Sequence, residues 1–272
     1  MTMPNKSFRE ERLKQIFDIV RVNERVSVPE LAEQFNMSES SIRLDLTELE
    51  KTNLITRTHG GAILRSDLSQ DLIVNLDVVN KRIVRYQKEK EAIGKKTASL
   101  VEDGDTIMID GGSTTKSVAK YLVNKKNLTI ITNSLILIPE ILVNPGINFY
   151  VLGGLTNRKH GITIGYLTDY CVEQFHPNKA ILGIDGISLN EGLTAANPSN
   201  PGISSVKIKM IEVSEKIIIV SDSSKFNRVC LLPVAPIEAI DYLVTDSKAP
   251  KDLVKDIRDI GPQVLIANDI ED

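Results

Sequence analysis

The chain has 272 residues, 42% apolar and 25% charged, which is enough for a real core in one or two domains and excludes a mainly disordered protein. Aromatic residues make up only 4%, with no Trp, so the core must be aliphatic and stacking platforms for single-stranded nucleic acid are not expected. The net charge of −3 excludes a generally basic protein, so any nucleic-acid contact must come from a local patch. Two cysteines, Cys171 and Cys230, without a C-x-x-C, give neither a disulfide scaffold nor the usual zinc spacings; they fit a reducing cytoplasm, where the protein is expected, and read as buried thiols. His59, His160 and His176 are too few for a His-based metal site, so neither metal nor cofactor is expected. The start of the chain is charge-rich and lacks an apolar signal region, and apolar runs such as 217–220 fall far short of the ~20 residues of a spanning helix, so no membrane partner is expected.

Residues 1–65 read as short helices followed by a hairpin. Leu13, Ile16, Phe17 and Val20 fall on one helical face. Pro29 opens a second helix with Leu31, Ala32 and Phe35 inward. After a break at Asn36-Met37, Ser38 caps a third helix with Ile42, Leu46 and Leu49 on one stripe. A strand over 54–57, a Gly60-Gly61 turn and a returning strand over 62–64 complete the grammar of a winged helix-turn-helix. A short turn between helices two and three holds the third out from the body, where it can enter a major groove about 12 Å wide.

The outward positions of that third helix are Glu39, Ser40, Ser41, Arg43, Leu44 and Thr47; these Ser, Thr and Arg side chains, with Ser38 at the cap, can reach bases or phosphates without bulk. An ordinary solvated face, with Arg43 and Asp45 as a structural ion pair, is the alternative. Residues 1–65 hold ten basic and ten acidic side chains, yet 51–65 carry Lys51, Arg57, Arg65 and His59 and no acid. The basic charge is therefore placed on the wing, and Gly60 at its tip lets backbone approach a phosphate closely. Double-stranded DNA is the partner this pattern favours over a merely solubilising hairpin.

Residues 66–87 read as a linker, part of which packs on the second domain. From 88 to 272 helices and apolar strands alternate: a helix over 88–101, strands over 106–110 and 128–132, a helix opened by Ser134, strands over 149–152, 180–184, 217–221 and 242–245, a helix from Pro250 and a strand over 264–267. Strands this apolar imply a largely parallel sheet covered on both faces. Ligands of such sheets sit at strand carboxyl ends. Asp110-Gly-Gly-Ser-Thr-Thr115 lies between a strand and a helix, where backbone N–H groups and the hydroxyls of Ser113, Thr114 and Thr115 suit phosphate or carboxylate. It contains no P-loop and no dinucleotide fingerprint. Further polar strand ends carry Asn133, Gly153-Gly154, Asp185 and Asp222-Ser-Ser-Lys225, and Lys207 and Lys225 could each neutralise part of a phosphate. Asp110 and Asp185 are candidate general bases, and neither sits in a motif that demands catalysis; the nearest histidines, His160 and His176, read as solvated loop residues.

Together these residues resemble the DeoR family of bacterial sugar-metabolism regulators. The match runs through Val28-Pro-Glu-Leu-Ala-Glu-Gln-Phe35, Ser38-Glu-Ser-Ser-Ile-Arg-Leu-Asp-Leu46, Leu49-Glu50 and Arg57-Thr-His-Gly-Gly-Ala62. It continues through Asp103-Gly-Asp105, Asp110-Gly-Gly-Ser-Thr-Thr115, Thr132-Asn-Ser134, Leu152-Gly-Gly154, Gly192-Leu-Thr194 and Asp222-Ser-Ser-Lys-Phe226. The resemblance implies an α/β protein: an N-terminal winged helix-turn-helix, then a largely parallel α/β sensor domain resembling the phosphosugar isomerase and CoA-transferase-like fold. It implies a repressor, not an enzyme, that binds operator DNA and is released by a phosphorylated sugar; a homodimer or homotetramer is expected because coupled sensor sites can share the free energy that release demands. The effector loop would be Gly112 to Thr115, with Asp110, Asn133, Asp185, Lys207 and Lys225 around it. An isomerase-like enzyme with a fused DNA-binding head, or an effector-dependent activator, remain the alternatives. The chain departs from the family at Arg43-Leu44, where members commonly have two arginines, and at Ile203, where they often carry an acid four residues before Lys207.

Overall fold

The computed structural model describes residues 6–23, 25–51, 55–58, 60–64, 77–196 and 201–268. The chain divides into two compact units, 1–75 and 76–272.

The first unit runs α1 (Lys6–Asn23), β1 (Arg25–Ser27), α2 (Val28–Gln34), α3 (Glu39–Lys51), β2 (Ile55–Thr58) and β3 (Gly61–Leu64). A capping box starts α2: the Ser27 hydroxyl accepts from the Glu30 amide at 3.3 Å while the Glu30 carboxylate accepts from the Ser27 amide at 3.1 Å, with Pro29 in the first turn. Asn36, left-handed at φ 50, ends the helix and reverses the chain into α3. Ser38 caps α3 by accepting from the Ser41 amide at 3.3 Å. The core is aliphatic, as composition requires: Ile16, Val20, Leu31, Ile42, Leu46, Leu49, Ile55 and Ala62 close on one another. Two features differ from the sequence reading. Gly61 belongs to β3 rather than to the turn, and β1 adds a third antiparallel strand in the order β1-β3-β2. Three residues are too few to show a period, which is why β1 is silent in the sequence.

The second unit begins with α4 (Asp77–Val84) and α5 (Gln87–Ala98). A helix thus occupies part of the stretch read as linker. The remaining elements are β4 (Thr106–Ile109), α6 (Ser113–Tyr121), β5 (Thr129–Thr132), α7 (Ile138–Ile141), β6 (Asn148–Val151), β7 (Leu155–Asn157), β8 (Ile162–Ile164), α8 (Tyr166–Val172), β9 (Lys179–Gly183), β10 (Gly186–Ser188), β11 (Gly192–Ala195), α9 (Gly202–Val213), β12 (Lys216–Val220), β13 (Leu232–Ala235), β14 (Tyr242–Asp246), α10 (Lys251–Ile260) and β15 (Gln263–Ala267). Ser134 opens no helix: it bridges to Ile162, and α7 starts later, at Ile138.

Seven strands form one wholly parallel sheet, ordered β15-β14-β12-β9-β4-β5-β6. Alternate residues of each strand feed two separate cores, as the two-residue period of a strand demands. Met108, Ala180, Leu182, Ile217 and Ile219 face one core with Val172 of α8, Val206 and Met210 of α9 and Ile257 of α10. Ile107, Ile109, Ile181, Ile218 and Val220 face the other with Ile93 of α5, Val118 and Ala119 of α6 and Ile141 of α7. From β4 the chain proceeds outward through β5 and β6, then returns to build β9, β12, β14 and β15 on β4's other side. The strand order therefore reverses between β4 and β9, which is where open α/β sheets leave a crevice at their carboxyl ends.

Close approach of α5 and α6 depends on Gly94, where a Cβ would lie 2.6 Å from the Ser117 carbonyl oxygen. Gly94→Ala should therefore lower the stability of this unit by about 1–3 kcal/mol despite alanine's better helix propensity. Urea denaturation checks this; an unchanged midpoint would mean the helices can separate without cost.

Candidate functional site

In the first unit the outward face of α3 and the wing meet. Thr47 donates its hydroxyl to the Arg43 carbonyl at 2.7 Å and accepts from the Arg57 guanidinium at 2.8 Å, while the Arg57 amide donates to Glu50 at 3.0 Å. Arg57, from β2, is thus laid across α3 rather than swinging free. Arg43 pairs with Glu39 at 2.8 Å and Lys51 with Glu48 at 3.2 Å; both are exposed, so phosphates can compete for these cations at little cost. Asp45 is not Arg43's partner. It is buried and accepts from Arg12 of α1 at 2.8 Å, which anchors α3 to α1. The hydroxyls of Ser40 and Ser41 each lie 2.9 Å from that of Ser38, a polar cluster at the amino end of α3. Gly60 is exposed, with nothing near the position a Cβ would take, while its carbonyl ties the wing to the Val28 amide at 2.8 Å. His59 lies outside the described residues. Leu44 is 67% exposed on the same helix, an apolar group of the kind that meets a thymine methyl.

In the second unit the expected effector residues gather at the carboxyl ends of β4, β5, β9 and β12. Gly112 precedes α6 with no side-chain cap, so the first-turn amides of Ser113, Thr114 and Thr115 have no partner within their own helix. Thr115 turns its hydroxyl back onto the Gly112 carbonyl at 3.0 Å. Gly111 has to be glycine, because a Cβ there would run into the Ile162 side chain and come 3.3 Å from the Ser134 hydroxyl. That Ser134 hydroxyl and the Asn133 Oδ1 are buried and have no hydrogen-bond partner. Asn133 uses its Nδ2 to donate to the Thr163 carbonyl at 3.0 Å, so only its oxygen faces an unanswered demand.

Lys207 crosses the switch point. Its ammonium donates to the Asp110 carboxylate after β4 and, at 2.9 Å, to the Gly183 carbonyl ending β9. Two of its three donors are committed to the protein, so Lys207 is chiefly a brace between strand ends and has one donor left for a ligand. Its partner is Asp110, 97 residues away, rather than an acid on its own helix. Burial pushes the Asp110 carboxyl up, and the Lys207 ammonium, by charge and hydrogen bond, opposes that shift. Asp185 follows β9 and accepts from the Ala196 amide at 3.1 Å and the Arg82 guanidinium at 2.9 Å. Against the burial that would raise it, Arg82, that amide, Lys207 and Lys225 hold the Asp185 carboxyl below its ordinary value. Lys225 sits in a short 3-10 turn after β12, near enough for its charge to reach Asp185 and Lys90.

Sequence reading missed three residues here. Arg82 lay in the stretch read as linker, and only topology brings it to Asp185. Lys90 of α5 is buried and donates to the carbonyls of Arg82 and Arg85, capping the end of α4. His160, read as a solvated loop residue, is half-buried; burial, then the nearby Arg82 and Lys159, lower its pKa. Cys171 and Cys230 are free and partly exposed rather than buried. Among the described residues no group of three or more His, Cys, Asp or Glu is placed to hold a metal, and no helix is long and apolar enough to cross a membrane.

Residues 12–67 match the DeoR-like helix-turn-helix domain and residues 85–247 the DeoR C terminal sensor domain. The transcriptional repressor AccR of Agrobacterium fabrum is 34% identical over 88% of this chain and 90% of its own length. The glycerol-3-phosphate regulon repressor of Escherichia coli K12 is 33% identical over 92% of this chain and 95% of its own. Among solved structures, ribose 5-phosphate isomerase A from Methanocaldococcus jannaschii overlaps at a TM-score of 0.37 and 17% identity, covering 52% of this chain and 55% of that one. A winged helix-turn-helix joined to a parallel α/β sensor is the class the fold defines. The chain belongs to the DeoR family.

Burial brings the Lys90 ammonium down to about 8, with Asp222 opposing and Lys225, Arg82 and Arg85 adding to the shift. Between that value and the ordinary lysine value of 10.5, the unfolded chain holds a proton the folded one has released. Raising the pH through this window must therefore stabilise the fold through this group. The stability of wild type relative to Lys90→Met should rise between pH 8 and 10.5 in urea titrations; a pH-independent difference would place the Lys90 ammonium in a solvated environment.

Proposed function

We propose that this chain represses a carbohydrate-utilisation operon, holding operator DNA through α3 and the wing as a homodimer or homotetramer and leaving it when a phosphorylated sugar binds the sensor. Domain boundaries at 1–65 for the DNA-binding head, 66–87 for the connection and 88–272 for the sensor belong to the same reading. The observation that carries it is the amino end of α6, with uncapped first-turn amides and the unpartnered Ser134 hydroxyl, and with Lys225 following another carboxyl end of the same sheet. A phosphate supplies the acceptors and negative charge that this end lacks. The sugar portion would meet Asp110, Asn133, Asp185 and Lys207. The relatives named as transcriptional repressors support regulation rather than turnover. So does the pairing of both candidate bases, Asp110 with Lys207 and Asp185 with Arg82. A palindromic operator would match two copies of α3 about one DNA turn apart, near 34 Å or a multiple of it. Reversing occupancy from mostly bound to mostly free takes roughly a 10⁴-fold difference in ligand affinity between the two states. Several coupled sensors can share that demand.

Fluorescence anisotropy with DNA from upstream of the gene's own operon, titrated first with protein and then with sugar phosphates, tests the reading. Tight binding against random competitor, reversed by one compound, is expected. Binding strengthened by a compound would make the protein an activator or co-repressed, and turnover of a sugar phosphate would make it an enzyme.

Three variants locate the contacts. Arg43→Ala should weaken operator binding by about tenfold or more and random DNA less. Arg57→Ala should lower the slope of log affinity against log salt by about 1; an unaltered slope removes the wing from the phosphate contacts. Lys225→Ala should keep DNA affinity while raising the effector concentration needed for release, and unchanged release would exclude Lys225 from the effector site.

A further inference from the structure

We propose that Arg82 is an effector-site residue that carries ligand occupancy into α4, the first helix of the sensor unit in chain order. The inference rests on reading the strand ends around α6 as the effector site, and it names how that site is regulated.

Asp185 is fixed to the sheet. Its amide donates to the Thr194 carbonyl at 3.2 Å, and one carboxylate oxygen accepts from the Ala196 amide at 3.1 Å. The other oxygen accepts from Arg82 at 2.9 Å. The guanidinium is 42% exposed while the carboxylate is 17% exposed, so the pair stands at the rim of the site, where a ligand can reach the arginine. Lys207 is buried, bound by Asp110 and the Gly183 carbonyl, and cannot move without breaking the brace. Among the described residues Arg82 shows no such second tie to the sheet, and its fork of five donors can donate to an anion's oxygens as readily as to a carboxylate's. An anionic ligand competes with Asp185 for the same guanidinium.

What moves with Arg82 is defined by Lys90. The helix α4 ends at Val84, Tyr86 adopts a left-handed conformation at φ 57, and α5 begins at Gln87. The Lys90 ammonium holds the Arg82 and Arg85 carbonyls, so the carboxyl end of α4 is hinged on α5 at this corner. The side chain of Arg82 supplies a separate hold on α4, to the loop after β9. Transfer of Arg82 from Asp185 to a ligand removes the sheet's hold and keeps the hinge. The sequence of α4 then runs back through residues 65–76 to the wing strand β3, so α4 is the described element of the sensor nearest in the chain to the DNA-binding unit. A two-state element whose equilibrium a ligand biases is what coupling between sites requires.

Hydrogen exchange of the full-length protein, read at the amides of residues 81–84 and 113–115, tests this with inorganic phosphate and glucose 6-phosphate as probes. In wild type, a probe that protects 113–115 should speed exchange in α4 by about tenfold, the scale of one charge-assisted hydrogen bond. Arg82→Gln should show that fast exchange without probe and no further response. Lys225→Ala should keep slow exchange in α4 without probe and need more probe to respond. Protection at 113–115 with α4 unchanged, or Arg82→Gln behaving as wild type, overturns the role of Arg82 while leaving the site intact. No protection at 113–115 by either probe overturns the reading of the site, and the role of Arg82 falls with it.

Discussion

The sensor unit turns on one buried ion pair. Lys207 and Asp110 meet where the order of the parallel sheet reverses, and both are almost wholly removed from water. Isolated, either charge would be prohibitively costly in that position; together, and with the Gly183 carbonyl accepting a second bond, they are tolerated. Such a pair adds little net stability compared with well-packed apolar groups, and removing one partner leaves the other charge buried and unpaired. Its effect is to fix the ends of β4 and β9 against each other, which sets the distance between the amino end of α6 and Asp185.

The charges around the site are arranged in layers. Lys207 and Asp110 neutralise each other at depth, Arg82 and Asp185 do so at the rim, and Lys225 adds positive charge beside them. The deep pair is closed off from solvent and the rim pair is open to it. The first unit follows the same division. Asp45 and Arg12 form its buried anchor, while Arg43 and Lys51 are paired with exposed acids on their own helix and can be given over to phosphates. In both units the inner pair builds the frame and the outer cations stay open to solvent. This division leaves local patches of accessible positive charge on a chain whose net charge is −3.

Much of the fold is legible in the sequence because its strands are short, apolar and bounded by Gly, Asp or Asn. The strands β4, β9, β12, β14 and β15 fall within a residue or two of where composition puts them. The helices α1, α2 and α3 follow from periodicity, from Pro29 at the start of α2 and from Ser38 as the cap of α3. The strands β7, β8, β10 and β11 span only three or four residues, too few for a period to register, and their pairing partners are set by tertiary contacts. Ser134 looks like a helix cap and instead bridges to Ile162, because the chain turns toward β8 before α7 begins. The strand–helix junction before α6 was legible from its Gly, Ser and Thr residues. The partners of Lys207 and Asp185 were not, since residues 97 and 103 positions apart are brought together by topology alone.

The most direct measurement is the structure of the full-length protein with the sugar phosphate that strips it from its operator. The account predicts the phosphate at the amino end of α6, its oxygens accepting from the amides of Ser113 to Thr115, and the Lys207–Asp110 pair unmoved. A ligand seated away from the carboxyl ends of β4, β5 and β9, or one that parts Lys207 from Asp110, would contradict it.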